Sequence, residues 1–550
     1  MLSQTSAELG GASIVPRTTD STRLSIPFDA DRDIYSEQLQ TRNPSADQLT
    51  FTPAPETDTA EAVMARLQGY ADSPVEAITL DLESSLRQAI RTSREYQFDE
   101  EEYILACLRL LIERHRWGPR FFDEISATAD GEADNGNYET ALRLVNEFRI
   151  TQRLPYGGQV SARALIRATE DLHRKVSGEG VQTADIILQA DIPLLRGAGN
   201  VAREDRIQAE RDLIYAARDF ERFRRVFLFD IARDFLNLVV QQQAIINTKN
   251  RVLMQEEAEQ RSKALVTAGR EPPFGAAQAV QETLEARDRL NQQQESYRLS
   301  VDRFKIRLGI DQSQPVIIEL SMLNLPAPES DITKSVLLAL SLRLDLQNRR
   351  DQLDDSKRAV ENARNGLLPD LDLSASFSIP TNENRERAGL DFKSDESSFL
   401  ASITFGLPLD REIERLNLRQ ADIRLQRAIR NFDEFRDTIA IDARAAVRDL
   451  DRARFSVQLQ DQNRKIAQRQ VDSIAAAPDR ADAIRRSRAI DDLNRARDAY
   501  DRSVRDLQIG ILRYLLDSGQ LRVDANGTIQ PLNGMILQEP VEIDDPPDGP

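Results

Sequence analysis

The chain has 550 residues, of which 30% are charged and 6% aromatic, and its formal net charge is −18. Because large apolar side chains are few, they cannot fill several compact cores. The composition therefore favours long helices with narrow apolar seams. The acidic balance argues against a general nucleic-acid-binding protein, and the single Cys107 permits no intrachain disulfide.

The N-terminal region, residues 1–73, is rich in Ser, Thr, Pro and Asp without a sustained period. This composition predicts an extended or disordered lead. The first residues lack the basic and apolar regions of a signal peptide. Taken literally, the chain is not secreted, but a mature form or a sequence that starts at the wrong codon would also lack these regions. No apolar run approaches the roughly 18 residues of a membrane-spanning helix.

A helical pattern over 74–117 opens the ordered part, and its last turns carry an apolar face. Residues 118–197 form a first β segment, with strands predicted at 118–129 and 183–192. Between these strands, the sequence Pro155-Tyr156-Gly157-Gly158 is typical of a turn, and its flanks leave open an additional hairpin at 146–166. The apolar face in the last turns of the helix predicted at 74–117 consists of Ile104, Leu105, Leu108, Leu111 and Ile112.

A second β segment, 367–410, alternates more strictly between apolar and small polar residues. Any one such strand is most often half-buried in an ordinary sheet, but four of them beside very long helices favour a lipid-facing side and a water-filled lumen. The predicted lipid-facing residues are Leu371, Leu373, Phe377, Phe399, Ile403 and Phe405, and the predicted lumen-facing residues are Ser374, Ser376, Ser378, Ser402 and Thr404.

Two long helical hairpins are predicted, at 198–310 and 411–517. In the second, apolar residues recur at alternating spacings of three and four, the seam of a coiled coil. In the first, a helix of some 70 residues reaches Gly269, and Pro272-Pro273 forces its reversal. Asp230 and Asp442 continue the two seams, which usually means a register-setting or water-facing residue. The second seam consists of Ala421, Leu425, Ala428, Phe432, Phe435 and Ile439.

The chain repeats itself. Residues 208–224 match 420–436 at an offset of 212, with eight of seventeen positions identical, and Ser85 matches Ser335 at an offset of 250. The first copy therefore carries about 38 additional residues between its matching blocks. Around the repeats, the sequence predicts a linker at 311–332, a second-repeat helix at 333–366 and a C-terminal tail at 518–550.

Residue patterns of catalytic or cofactor sites are missing from the sequence. His115 and His173 have no metal-ligand spacing with Cys or Glu, and there is no phosphate-binding loop or dinucleotide fingerprint. We therefore expect no enzyme activity, no metal and no cofactor.

With these elements in place, the chain resembles the TolC-like outer-membrane efflux proteins over about 78–517. The resemblance implies a homotrimer in which each protomer gives four strands to a twelve-stranded transmembrane β-barrel and its long antiparallel coiled-coil hairpins to a periplasmic α-barrel. It also implies a passive exit duct docked through an adaptor protein on an inner-membrane pump. The segments that carry it are 78–97, 114–122, 190–200, 366–378 and 403–426.

The resemblance also points to the free end of the second hairpin, where members of the family often carry acidic gate residues. Asp491 resembles one of these, while Asn494 stands where a second Asp is common. Three copies of Asp491 would form a ring that the nearby arginines could pair with between protomers. A solvated helix end explains the same residues about equally well. The candidate arginines are Arg485, Arg486 and Arg488.

Two functions follow as alternatives. The first is an exit duct of a tripartite efflux or type I secretion system, in the outer membrane with a periplasmic extension. The second is a structural coiled-coil scaffold without transport, which the missing signal peptide and Asp123 in the middle of a strand favour. The exported compound, the pump and the adaptor cannot be read from the residues.

Overall fold

The structure is a computed structural model that describes residues 77–134, 137–171, 181–320, 328–381, 391–476, 483–524 and 529–530. The predicted lead at 1–73 lies outside these residues, as does most of the predicted tail at 518–550.

Helices make up most of the described chain, and two of them are very long. They are α1 (Leu82–Thr92), α2 (Arg94–Arg116), α3 (Glu204–Thr267), α4 (Pro273–Leu308), α5 (Ile332–Leu342), α6 (Leu344–Asn365), α7 (Glu412–Ala476) and α8 (Ala483–Asp517). The strands are β1 (Ile78–Leu80), β2 (Arg120–Asp134), β3 (Asn137–Arg153), β4 (Gln159–Asp171), β5 (Val181–Pro193), β6 (Val316–Ile318), β7 (Asp370–Pro380), β8 (Ser398–Gly406), β9 (Arg522–Val523) and β10 (Ile529–Gln530).

The order of elements occurs twice. Two short helices, α1 and α2, lead into strands and then into the hairpin α3–α4; α5 and α6 lead into strands and then into α7–α8. The repeated sequence has repeated local structure: Asp81 caps α1 by accepting from the Ser84 amide at 2.7 Å, and Asp331 caps α5 by accepting from the Lys334 amide at 2.6 Å.

The long hairpins have the predicted form. The helix α3 has 64 residues and α7 has 65, so each is about 100 Å long at 1.5 Å per residue. The first hairpin reverses after Gly269, which has a positive φ of 69°, and α4 begins at Pro273, where a missing N–H costs nothing.

The strands β2 to β5, β7 and β8 form one antiparallel sheet of six strands, in the order β2-β3-β4-β5-β7-β8. The four strands implied by the family resemblance are therefore too few. The additional residues of the first copy form the hairpin β3–β4, whose strands end at Arg153 and begin at Gln159. The turn between them is the Pro-Tyr-Gly-Gly segment, so the additional hairpin that the sequence left open is present.

The main apolar core lies where α1, α3, α4, α7 and α8 pack together. Its centre includes Phe227 and Phe235 of α3 and Leu512 of α8, each at most 1% exposed. Tyr96 of α2 contacts the rings of Phe220, Phe223 and Phe227, with centroid separations of 5.6 to 6.3 Å. All three of these phenylalanines of α3 therefore belong to the core or pack against its edge.

The predicted apolar face of α2 is not covered by any of the residues that the structure describes. The helix buries a different side against α3, through residues such as Tyr103 and Leu110. Its uncovered residues Ile104, Leu105, Leu108, Leu111 and Ile112 are 38% to 58% exposed. The first half of α7 is similarly open, with Ile413, Leu416 and Ile423 between 42% and 70% exposed. Among the described residues, two apolar helix faces are thus left without a partner.

Candidate functional site

One face of the sheet is apolar. Residues directly opposite each other in an antiparallel pair project to the same side. The register of β7 and β8 pairs Leu371 with Phe405, Leu373 with Ile403, and Phe377 with Phe399. The six residues predicted to face lipid therefore share one face, on which Phe399 is 84% exposed.

The apolar face continues across the whole sheet. From Phe377 the register leads to Leu188 on β5 and then to Ala162 on β4. It continues through Ile150 on β3 to Phe121 on β2. An unbroken row of apolar side chains therefore runs from one edge strand to the other.

Asp123 interrupts this face, as the sequence suggested. It lies opposite Phe148 in the register of β2 and β3. Its Oδ1 accepts a hydrogen bond of 2.9 Å from Nδ2 of Asn146 on β3. The carboxylate is paired within the sheet, and a paired polar group is tolerated on a membrane-facing surface better than an unpaired one. Asp123 therefore favours a non-membrane scaffold less than the sequence alone suggested.

The opposite face is polar. Ser374 lies opposite Ser402, and Thr404 opposite Asp372. On the strands of the first copy, Arg167 contacts Asp185 at 2.8 Å, and Arg163 donates to Gln189. The five residues predicted to line a lumen belong to this face, which pairs its charges across neighbouring strands.

A second cluster of polar residues joins the two helical hairpins. We call it the α3–α8 ladder: Asn247, Arg251 and Gln255 of α3 with Ser487, Asp491, Asp498 and Asp501 of α8. The residues of α3 recur every four positions, so they share one side of the helix. The ladder lies in the last third of α3 and about the first half of α8.

Asp491 is the centre of this ladder. The Nε of Arg251 donates to its Oδ1 at 2.7 Å, and the side chains are 7% and 28% exposed, respectively. One step away, Nε2 of Gln255 donates to Oγ of Ser487 at 2.8 Å. The proposed gate carboxylate is therefore held by an arginine of its own chain. Pairing with arginines of another protomer stays a prediction.

At the other end of the ladder, Nδ2 of Asn247 donates to both Asp498 and Asp501, at 2.9 Å each. Burial raises the pKa of both carboxyl groups above the ordinary aspartate value, and the neighbouring Asp498 raises that of Asp501 further. Two ionised carboxylates are therefore costly here.

The other gate candidates differ in position. Arg485 and Arg488 are exposed, whereas Arg486 and Asn494 are partly buried. Arg251, the partner of Asp491, was missed in the sequence, where only the polar residues at every fourth position of α3 could have indicated it. The seam residue Asp230 contacts Arg307 and the seam residue Asp442 contacts Arg343, each at 3.4 Å, and the side chain of Asp442 is 46% exposed. A role of either residue in setting helix register stays a prediction.

In the parts of the chain that the structure describes, no group of three or more His, Cys, Asp or Glu side chains is arranged to hold a metal ion. Over the same residues, no helix is long and apolar enough to cross a membrane.

Residues 336–487 match a protein-family model described as "Outer membrane efflux protein". Over these residues the chain is similar to the TolC-like outer-membrane efflux protein family. The match spans the second repeat from α5 to the start of α8. Members of this family are channels rather than enzymes. A search of curated proteins finds no match.

Solved structures of outer-membrane channels share the fold of this chain. The outer-membrane channel OprN has a TM-score of 0.60 at 15% identity, over 85% of this chain and 97% of that one. The CmeC outer membrane channel of Campylobacter jejuni has a TM-score of 0.55 at 15% identity, over 85% and 90%. The open state of the Neisseria gonorrhoeae MtrE channel has a TM-score of 0.56 at 13% identity, over 82% and 93%.

Proposed function

We propose that this protein is the outer-membrane exit duct of a tripartite efflux or type I secretion system, through which solutes pass without chemical work by the duct itself. The observation that carries the proposal is the sheet with one apolar and one polar face at the end of helices about 100 Å long. Such a sheet can separate lipid from water, and the helices can extend the path into the periplasm.

A homotrimer explains the uncovered helix faces. Within the chain, α6 packs on both α7 and α3. Its repeat equivalent α2 packs on α3 and leaves its other side open. Because α6 packs on the long helix of the other repeat, α3, the open side of α2 should likewise pack on the long helix of the other repeat, α7, in the next protomer.

The equivalent positions support this pairing. Within the chain, α3 and α6 are joined by ion pairs, among them Glu204 with Arg358 at 3.2 Å. At the offsets of 212 and 250, these positions correspond to Leu416 and Leu108, which are 53% and 47% exposed. An ionic contact within the chain thus corresponds to an apolar contact between chains, where two exposed leucines would bury each other.

The remaining partners follow from the same architecture. The free ends of the hairpins would face a periplasmic adaptor protein, which connects the duct to an inner-membrane pump, and the apolar sheet face would contact outer-membrane lipid.

Detergent-free fractionation of native cells tests the proposal. We expect the protein in the outer-membrane fraction, and its recovery as a soluble protein would contradict the proposal in favour of a coiled-coil scaffold.

The repeat-derived contact gives a charge-exchange prediction. Leu108→Arg places an unpaired charge against an apolar neighbour, so we expect the trimer to dissociate in mild detergent. Adding Leu416→Glu recreates the ion pair that Glu204 and Arg358 form within the chain and should restore the trimer. Native mass spectrometry measures both. Leu253→Arg on α3, at an exposed leucine outside this contact, is the control. A trimer unaffected by Leu108→Arg would refute the pairing.

The raised pKa values of Asp498 and Asp501 predict pH-dependent closure. Above the raised pKa, both carboxyls are ionised at a buried contact and weaken the α3–α8 ladder. As the pH falls through the raised pKa, protonation removes this repulsion, so the ladder tightens. We therefore expect single-channel conductance to fall between neutral pH and the ordinary aspartate range near 3.9.

The double variant Asp498→Asn/Asp501→Asn provides the comparison. It carries the uncharged form at every pH, so its conductance should be low and nearly independent of pH over the same range. A variant that follows the pH profile of the unmodified protein would place the titrating groups elsewhere.

A further inference from the structure

The hairpin β3–β4 is a full part of the sheet. Its first strand pairs with β2 from Thr151 opposite Arg120 to Asn137 opposite Asp134, and its second strand pairs with β5 over eleven residues. The shortest of the six strands, β8, has nine residues, which is the length that a tilted strand needs to cross a bilayer. All six strands are therefore long enough to be part of a membrane wall.

The turn of this hairpin is fixed at the end of the sheet where strands become helices. The amide of Gly199, just before α3, donates to the carbonyl of Tyr156 in the turn at 2.8 Å. Gly158 has a φ of +82°, and a Cβ there would lie 2.0 Å from the carbonyl oxygen of Asp191. The hairpin is thus held against the junction of β5 and α3, so its strands run between the two ends of the sheet.

The two faces of the hairpin match those of the other strands. Ile150 and Ala162 continue the apolar row from Phe377 to Phe121. Arg163 and Arg167 lie on the polar side, where they contact Gln189 and Asp185 of β5. A hairpin folded over the lumen or outside the wall would not need this alternation.

The two edge strands are complementary. Among the described residues, β2 pairs only with β3, and β8 pairs only with β7. Since six consecutive antiparallel strands alternate in direction, β2 and β8 run in opposite directions. A β8 strand can therefore pair antiparallel with β2 of another copy. Closure of six strands within one chain would leave no room for the arginines of the polar face, because eight strands already give an interior just filled by side chains.

From these observations we propose that three copies close an eighteen-stranded barrel, in which β8 of each copy pairs with β2 of the next. The inference rests on the proposed function and departs from the twelve strands that the family resemblance implies. With strands about 4.8 Å apart and tilted by about 40°, the backbone diameter is about 36 Å, against about 24 Å for twelve strands. The cross-section of the barrel more than doubles, so the helical end alone limits the size of the solute.

Disulfide trapping tests the edge pairing. In a Cys107→Ala background, which removes the only cysteine, Ile403→Cys on the apolar face of β8 is combined with cysteine at Phe121, Asp123 or Ile125 on the same face of β2. Combinations with Phe122 or Glu124, on the opposite face, are the matched controls. We expect covalent dimers and trimers from at least one same-face pair and none from the controls. Products confined to one chain, equal products from both sets, or no products would overturn the proposal.

A count of strands by cryo-electron microscopy of the trimer in lipid nanodiscs decides the same question without substitutions. Eighteen strands in the wall are expected. Twelve strands, with the β3–β4 hairpin outside the wall, would overturn the proposed barrel and leave the exit duct intact. A protein that does not enter lipid as a trimer would instead overturn the proposed function.

Discussion

Replacing Asp491 with alanine is expected to raise single-channel conductance in planar bilayers and to change the cation preference. The change leaves Arg251, which is 7% exposed, without its carboxylate partner. A buried group that loses its partner costs about 1–3 kcal/mol, which corresponds to roughly a 5- to 150-fold shift toward the open arrangement. Since this ion pair is mostly shielded from water, salt should weaken it less than an exposed pair.

The neighbouring residue gives the control for this experiment. Asp492 is exposed, and its carboxylate pairs with Arg495, three residues along the same helix. Asp492→Ala removes the same charge from the same region without breaking the contact between the hairpins. Conductance and selectivity should therefore stay near those of the unmodified protein. If Asp491→Ala behaves like Asp492→Ala, then Asp491 is only a solvated helix residue and closure depends on other contacts.

Phe377→Arg is expected to destabilise the membrane-inserted protein strongly. An arginine on the lipid side of a strand costs about 2–4 kcal/mol near the bilayer midplane, and a trimer carries three copies. Ser376→Arg is the matched control, because the adjacent residue projects to the polar face. Urea unfolding from lipid vesicles should show a lower midpoint for Phe377→Arg alone.

Cysteine labelling checks the same assignment without a buried charge. A water-soluble reagent should react faster at Ser376→Cys than at Phe377→Cys in intact vesicles, with Cys107 replaced in both. Equal rates at the two positions would contradict the lipid-facing assignment of Phe377 and of the residues that share its face.

The positions of the helices, and the face of the sheet to which each strand residue projects, could be predicted because the signals for both are local. Pro272 and Pro273 cannot continue a helix, so the reversal of the first hairpin follows from two residues. Likewise, the alternation from Leu371 to Ile379 assigns each side chain to a face without reference to any partner.

The number of strands and the partner of Asp491 depend on long-range packing. The residues around Gly157 and Gly158 indicate a turn, but whether its flanks join the main sheet depends on β2 and β5. Arg251 lies 240 residues before Asp491, and nothing near either residue indicates which helix faces meet. Such pairings follow from the whole assembly of helices.

The contrast between Glu204 with Arg358 and their counterparts Leu416 and Leu108 has a mechanical consequence. In the proposed trimer, two kinds of interface with similar geometry alternate around the axis. The interfaces inside a subunit are charged, and those between subunits are apolar. Charged groups that separate are rehydrated by water, whereas separated leucines are not. When the helical tube dilates, the three charged interfaces should therefore open while the three apolar interfaces remain closed. The tube could then widen and narrow repeatedly without its subunits ever coming apart.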